Sequence, residues 1–333
     1  MSEAPALMAK RKIPYGLLFL LKLALTAGCL WWAFSKVDWH NTVFVRRDTL
    51  HTGWLLASVI LGGAAVFFAA LRWWLLVRAQ GIPAPLVRIV RHTLIGNLFG
   101  LISLGGLGNG AARVMLLLRD HPAGKLRATT TVLVDQLASL VGISLLFFVF
   151  TPSFAAGLAD PGVLERGVLR FAWCYFGGGM IGVVILFILS SPPVSARIHP
   201  KTGGRIWQFT QRLPVTYDIY RKKWRHSLCA VLVSTVVLFS YYLSFWCAVR
   251  AVGGGATPLA VVSAMPVIDG LSSLPVSVAG VGVREKLFQV LLGREAGMGS
   301  GTAVAASLAG FLCQLAWAPL GAWLFLKKDG GRE

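Results

Sequence analysis

The chain has 333 residues, of which 56% are hydrophobic and 14% charged, with a mean hydropathy of +0.69; such a composition excludes an ordinary soluble domain. Its formal charge is +19, from 32 Lys and Arg against 13 Asp and Glu. The basic residues fall in short loops between apolar runs, so the charge reads as membrane orientation and headgroup attraction, and no nucleic-acid partner is expected.

The first apolar run covers 15–34, behind Lys10, Arg11 and Lys12. A signal peptide is the competing reading, with LTAGC at 25–29 resembling a lipoprotein cleavage box. Lys22 interrupts the would-be signal core and the run continues through Trp31 and Trp32, which predicts an uncleaved first span. The run 54–77 predicts a second span, with Arg72 and Arg78 snorkelling at its end. Between 89 and 118 lie two arms, 89–104 and 107–118, each shorter than the roughly 20 residues a spanning helix needs. They predict a re-entrant helical hairpin whose tip is the cluster Gly105, Gly106, Gly108 and Gly110. A full span over 129–150 follows and carries Asp135 and Gln136. Runs at 169–189 and 227–249 predict two more spans, separated by a basic loop over 191–226. Arms at 259–274 and 283–292 flank a second break, with Pro275, Gly280 and Gly282, and 302–326 predicts the last span. Several tryptophans, Trp31, Trp32, Trp73, Trp74, Trp173, Trp317 and Trp323, sit toward run ends, as interfacial belts do.

The expected fold is therefore an all-α polytopic membrane domain occupying 1–333, with six full spans and two re-entrant hairpins. Each half reads span, span, hairpin, span, over 15–150 and 169–326. Three crossings per half place the second half in inverted orientation, the arrangement of many secondary transporters. With the N-terminus cytoplasmic, the segments 10–12, 78–91, 119–127, 191–226 and 327–332 hold 20 Lys and Arg. The opposite side holds five, at Lys36, Arg46, Arg47, Arg166 and Arg294. This asymmetry predicts cytoplasmic N- and C-termini.

The hairpin tips carry the candidate site. NLFGLISLGGLGNGAAR at 97–113 and DGLSSLPVSVAGVGVR at 269–284 each run from a polar residue through a glycine break to an arginine. Irregular backbone at membrane depth must line a cavity or be buried in protein, and paired breaks in two halves point to a transporter's binding site. Arg113 and Arg284 would then stand near half-helix N-termini, where unpaired N–H groups and a guanidinium fork suit a phosphate. The competing reading is that each arginine snorkels or pairs with a membrane acid. Asp135, Asp269 and Glu285 are the acids inside apolar stretches, and they either neutralise the arginines or carry a coupling proton. Asn97, Gln136, Gln289 and Gln314 are candidates for polar lining or for ordinary interhelical hydrogen bonds. The glycines, Gly105, Gly106, Gly280 and Gly282 among them, read as turn-formers because they cluster with Pro275, against the alternative of close helix packing.

Five cysteines, Cys29, Cys174, Cys229, Cys247 and Cys313, lie in apolar runs without a CxxC pair and read as inert. The histidines lack ligand spacing, so no metal and no cofactor is expected. Basic and aromatic residues interleave at 205–213 and 220–226, which reads as a solvated loop or one lying on anionic lipid. Neither a nucleotide-binding loop nor a catalytic triad is present, and no enzymatic activity is expected.

NLFGLISLGGLGNGAARVMLL resembles the N-x-x-x-P-G-G-x-G-x-x-x-R element of the flippase-like membrane region of lysylphosphatidylglycerol synthases. LSSLPVSVAGVGVREKLFQVLL is similar to its second element, L-P-x-S-x-G-G-x-G-x-R-E. Two departures stand out: Ser103 and Leu104 where the first element often has proline, and Val278 and Ala279 at the second glycine pair. The resemblance spans essentially the whole chain and implies functional positions at Asn97, Gly105, Gly106, Arg113, Pro275, Gly280, Gly282, Arg284 and Glu285. It implies a bacterial inner-membrane location and translocation of an anionic or aminoacylated phospholipid. Some stand-alone members are linked to polyprenyl-phosphate sugars or hopanoid lipids. Seven residues follow Leu326, without the soluble aminoacyl-transferase domain, so lipid translocation is expected and lipid synthesis is not. The alternatives are a polyprenyl-phosphate sugar carrier and an accessory subunit for a lipid-modifying enzyme or glycosyltransferase. A second copy of the chain or such an enzyme would be its protein partner.

Overall fold

The computed structural model describes residues 50–102, 107–122, 125–157, 162–189, 224–274, 280–295 and 298–327. The predicted first span at 15–34, Gly105 and Gly106, Pro275 and most of the basic loop lie outside them. Among the described residues the fold is entirely helical: α1 (Thr52–Ala79), α2 (Leu86–Ile102), α3 (Leu107–Asp120), α4 (Lys125–Gly157), α5 (Val163–Leu189), α6 (Trp224–Ala251), α7 (Pro258–Ser272), α8 (Val283–Glu295), α9 (Ser300–Leu315) and α10 (Ala318–Leu326). Five stretches are long and apolar enough to cross a membrane: α1, α4, α5, α6, and α9 together with α10.

The two hairpins are what the short arms predict. At 17, 14, 15 and 13 residues, α2, α3, α7 and α8 rise about 20–26 Å each, short of a ~30 Å hydrocarbon core. Local chemistry sets their ends. Thr257 accepts from the Ala260 N–H at 3.2 Å and Pro258 opens the first turn of α7, the usual cap and entry of a helix.

Two stretches that the polar-break-arginine pattern does not include turn out to be copies. W-x-x-V-R-A-x-G-x-x-A occurs at 74–84, ending α1, and again at 246–256, ending α6. The copies also share geometry. The Trp74 indole donates to the Ala84 carbonyl at 3.0 Å, and the Trp246 indole to the Ala256 carbonyl at 3.1 Å. Gly81 and Gly253 both take φ +75°, a left-handed turn that a side chain would strain.

The same offset of 172 recurs elsewhere. Gly142 faces Ser234, and the equivalents of those positions, Gln314 and Gly62, face each other. Arg113 bonds Asp135 and, 172 residues on, Ser307 bonds Glu285. At the centre, α1 and α6 pack antiparallel: the His51 N–H meets the Ala251 carbonyl at 2.9 Å, Ser58 meets Ser244, and Arg72 meets Ser234.

This packing gives the molecule two ends. Arg91 donates to the Leu324 and Lys327 carbonyls, while Arg88 and His92 sit 3.7 and 3.3 Å from Asp120. The end of α1, the base of the first hairpin, the α3–α4 connection and the end of α10 therefore share one end, called here the basic end. The start of α1, the end of α6 and the start of α7 share the other. The larger core lies toward that other end, where Phe147, Phe176, Phe245 and Phe288 are all fully buried. A smaller cluster around Trp73 holds the first hairpin to α1 and α4.

Candidate functional site

The structure separates the two arginines. Arg113, on α3, is 4% exposed and donates to Asp135 Oδ2 at 3.0 Å. Asp135 is also gripped by Arg72, whose Nε and Nη2 reach its two oxygens at 2.7 and 3.0 Å. Arg72 Nη1 extends to Ser234 Oγ at 3.1 Å, and Arg113 lies 5.4 Å from the Trp73 ring centroid. Arg72 is expected to snorkel; instead it is 5% exposed, because a carboxylate on the facing helix compensates it inside the bundle. Two guanidinium groups thus share one carboxylate in a dry layer between α1, α3 and α4. Asn97 closes the same hairpin, its Oδ1 accepting from Asn109 Nδ2 at 2.9 Å across the two arms.

Glu285 does not pair with Arg284. It is fully buried and accepts from the Gly282 N–H at 2.5 Å and from Ser307 Oγ at 3.0 Å. Since α8 begins at Val283, Glu285 occupies the third helical position and reaches back to the residue before the helix, half of a capping box. The carboxylate also lies favourably on the helix N-terminus. Glu285→Ala strands both donors in a buried layer and is expected to cost about 1–3 kcal/mol. Glu285→Gln, which keeps an acceptor, should cost less; thermal denaturation in detergent compares the two.

Arg284 faces a different space. It lines a cavity of about 1050 Å³ together with Asp269, Tyr241, Gln136, Gln314 and Phe311, with Gly110 and Gly280 also in its wall. The guanidinium lies 5.2 Å from the Phe311 ring centroid and 5.8 Å from that of Phe245. These aromatic faces favour a cation in a partly desolvated site. Gly280 and Gly282 shape the turn into α8 at φ +74° and +87°. A Cβ on Gly280 would lie 2.8 Å from the Ser272 carbonyl oxygen and 3.4 Å from Arg284 Nη2, so only glycine lets the turn close beside the arginine. Asp269 is half-buried one turn before the end of α7.

Of the residues singled out in the sequence, Arg284, Asp269, Gly280 and Gln136 come together at this cavity. Arg113, Asp135 and Asn97 do not line it. Gln314 both lines it and donates to Ser244 Oγ at 2.7 Å, and Gln289 accepts from Lys286 one turn away. Tyr241 and Phe311 carry no motif; Tyr241 is signalled only by being a hydroxyl in a long apolar helix.

The family model for the lysylphosphatidylglycerol synthase TM region matches residues 19–321, most of the chain. The chain belongs to this family. No curated protein gives a significant match. As a member of the lysylphosphatidylglycerol synthase TM-region family with five described spans, it is a multi-pass membrane protein. Both hairpin breaks lie inside the matched region.

Proposed function

We propose that this protein translocates a phospholipid by passing its headgroup through the cavity between the two hairpins. The observation that carries the reading is the cavity itself: a membrane-embedded space of about 1050 Å³ with one arginine, one carboxylate and a largely apolar remainder. Arg284 offers the phosphate a planar set of donors beside the start of α8. Asp269, across the same space, suits the amine of an aminoacylated or zwitterionic headgroup. The cavity's size is that of a ligand site, with few polar groups set in apolar walls.

An inverted repeat supports transport. Equivalent helices α1 and α6 run antiparallel, and the same offset of 172 links their motifs and their neighbours. That is the relation a pseudo-two-fold axis in the membrane plane would produce, and such axes underlie many carriers. The location proposed is the bacterial inner membrane, as the family resemblance implies, and the loop charges favour cytoplasmic termini there.

In vesicles reconstituted with the protein, fluorescent phosphatidylglycerol in the inner leaflet should become accessible to an external quencher faster than in protein-free vesicles. Equal rates would leave the protein as a scaffold for a lipid enzyme. The orientation has its own test. With all native cysteines replaced, Pro122→Cys should label from the cytoplasmic side and Ala296→Cys from the other. Labelling of both from one face would remove the inversion and with it the paired-hairpin site.

A further inference from the structure

The cavity is one-sided. Its deepest polar residues sit near mid-membrane: Asp269 is about 16 Å of helix rise from the start of α7, and Tyr241 about 15 Å from the end of α6. From there the lining follows α3 back to Leu118 and α4 back to Thr129, toward the basic end. Five of the lining residues are exposed: Ala111, Met115, Thr129 and Gln136, on α3 or in the N-terminal half of α4, and Ser273, just past the end of α7.

Toward the opposite end lies a cluster of packed aromatic rings. Phe147 stacks on Phe176 with centroids 4.5 Å apart, Phe245 and Phe288 lie 5.7 Å apart, and Phe176 presses on Gly270 of the second hairpin. All four rings are fully buried. Water and charge reach the arginine only where such a barrier is missing, because a dry aromatic layer cannot compensate either.

We infer that this conformation is the loading state, in which a headgroup enters from the leaflet at the basic end, passes Thr129 and Gln136, and stops at Arg284 and Asp269. Release to the other leaflet then requires the four-ring layer to part. The basic loops favour this direction of entry, since Lys and Arg beside a leaflet concentrate anionic lipid there. The inference rests on the cavity being the headgroup site, and its test separates the two claims.

Single cysteines at Gln136 and, as a second reporter, Thr129 are placed in the cysteine-free protein in sealed vesicles and treated with a membrane-impermeant thiol reagent. Both should label only from the side that labels Pro122→Cys. Leu308→Cys, 172 residues beyond Gln136, should stay unlabelled from the opposite side. Labelling of Gln136→Cys and Thr129→Cys from the opposite side, from both sides or from neither would overturn the inference. Adding short-chain phosphatidylglycerol on the entry side should slow labelling of Gln136→Cys. One-sided labelling that this lipid leaves unchanged would keep the polarity of the cavity but remove the lipid from it.

Discussion

Replacing Arg284 by alanine should abolish phospholipid scrambling while leaving the protein folded. Arg284 lines the cavity between the hairpins, so its loss removes donors from that site, whereas the loss of Arg113 takes a bond from a buried carboxylate. Truncating one member of a desolvated, charge-assisted contact costs about 2–5 kcal/mol, which is roughly 30-fold or more in rate or affinity. Arg284→Lys should fall between, because lysine keeps the charge and loses the bidentate fork. The assay is reconstituted scrambling normalised to the amount of folded protein by size-exclusion chromatography. If Arg284→Ala scrambles at the wild-type rate, the phosphate is held elsewhere.

The largest loss of stability should come from Asp135 and exceed that from either of its arginines. Asp135 holds Arg72 through two bonds and Arg113 through one, all in a layer at most 5% exposed. Asp135→Ala leaves two like charges facing each other without a counter-charge, and the loss of one partner from a buried pair already costs about 3–5 kcal/mol. Arg113→Ala leaves the two-bonded Arg72–Asp135 pair intact and formally neutral, so it should cost distinctly less. Thermal unfolding of the two variants in detergent gives the order. Equal destabilisation would mean that Arg113 is held by something besides this carboxylate.

Much of the architecture was legible because membrane burial makes periodicity and length informative. Arms too short to span and glycine breaks marked most helices closely, although α4 runs seven residues past the expected 150, α5 starts six before the expected 169, and the single run 302–326 is divided into α9 and α10. The pairing of charges was not legible. Arg72 and Arg284 are both arginines beside apolar runs, and only packing puts one against Asp135 and the other in the wall of the cavity. Glu285 stands next to Arg284, yet neighbours in a helix point about 100° apart. It therefore caps α8 from a face that Arg284 does not share. The resemblance of the two halves was visible in the polar-break-arginine order, but its more exact carrier is W-x-x-V-R-A-x-G-x-x-A. That motif lies at the span ends, away from the glycine breaks.

The most direct measurement is to locate the headgroup. A phospholipid carrying a photoreactive diazirine on its headgroup would be incorporated with the protein into vesicles, irradiated, and its adducts mapped by mass spectrometry. Adducts concentrated on cavity-lining residues, Tyr241, Ser273 and Gln136 among them, and lost in Arg284→Ala, are the predicted result. Adducts confined to outward-facing residues such as Phe171, Trp173 and Ile181 on α5, unchanged by Arg284→Ala, would contradict a headgroup site between the hairpins.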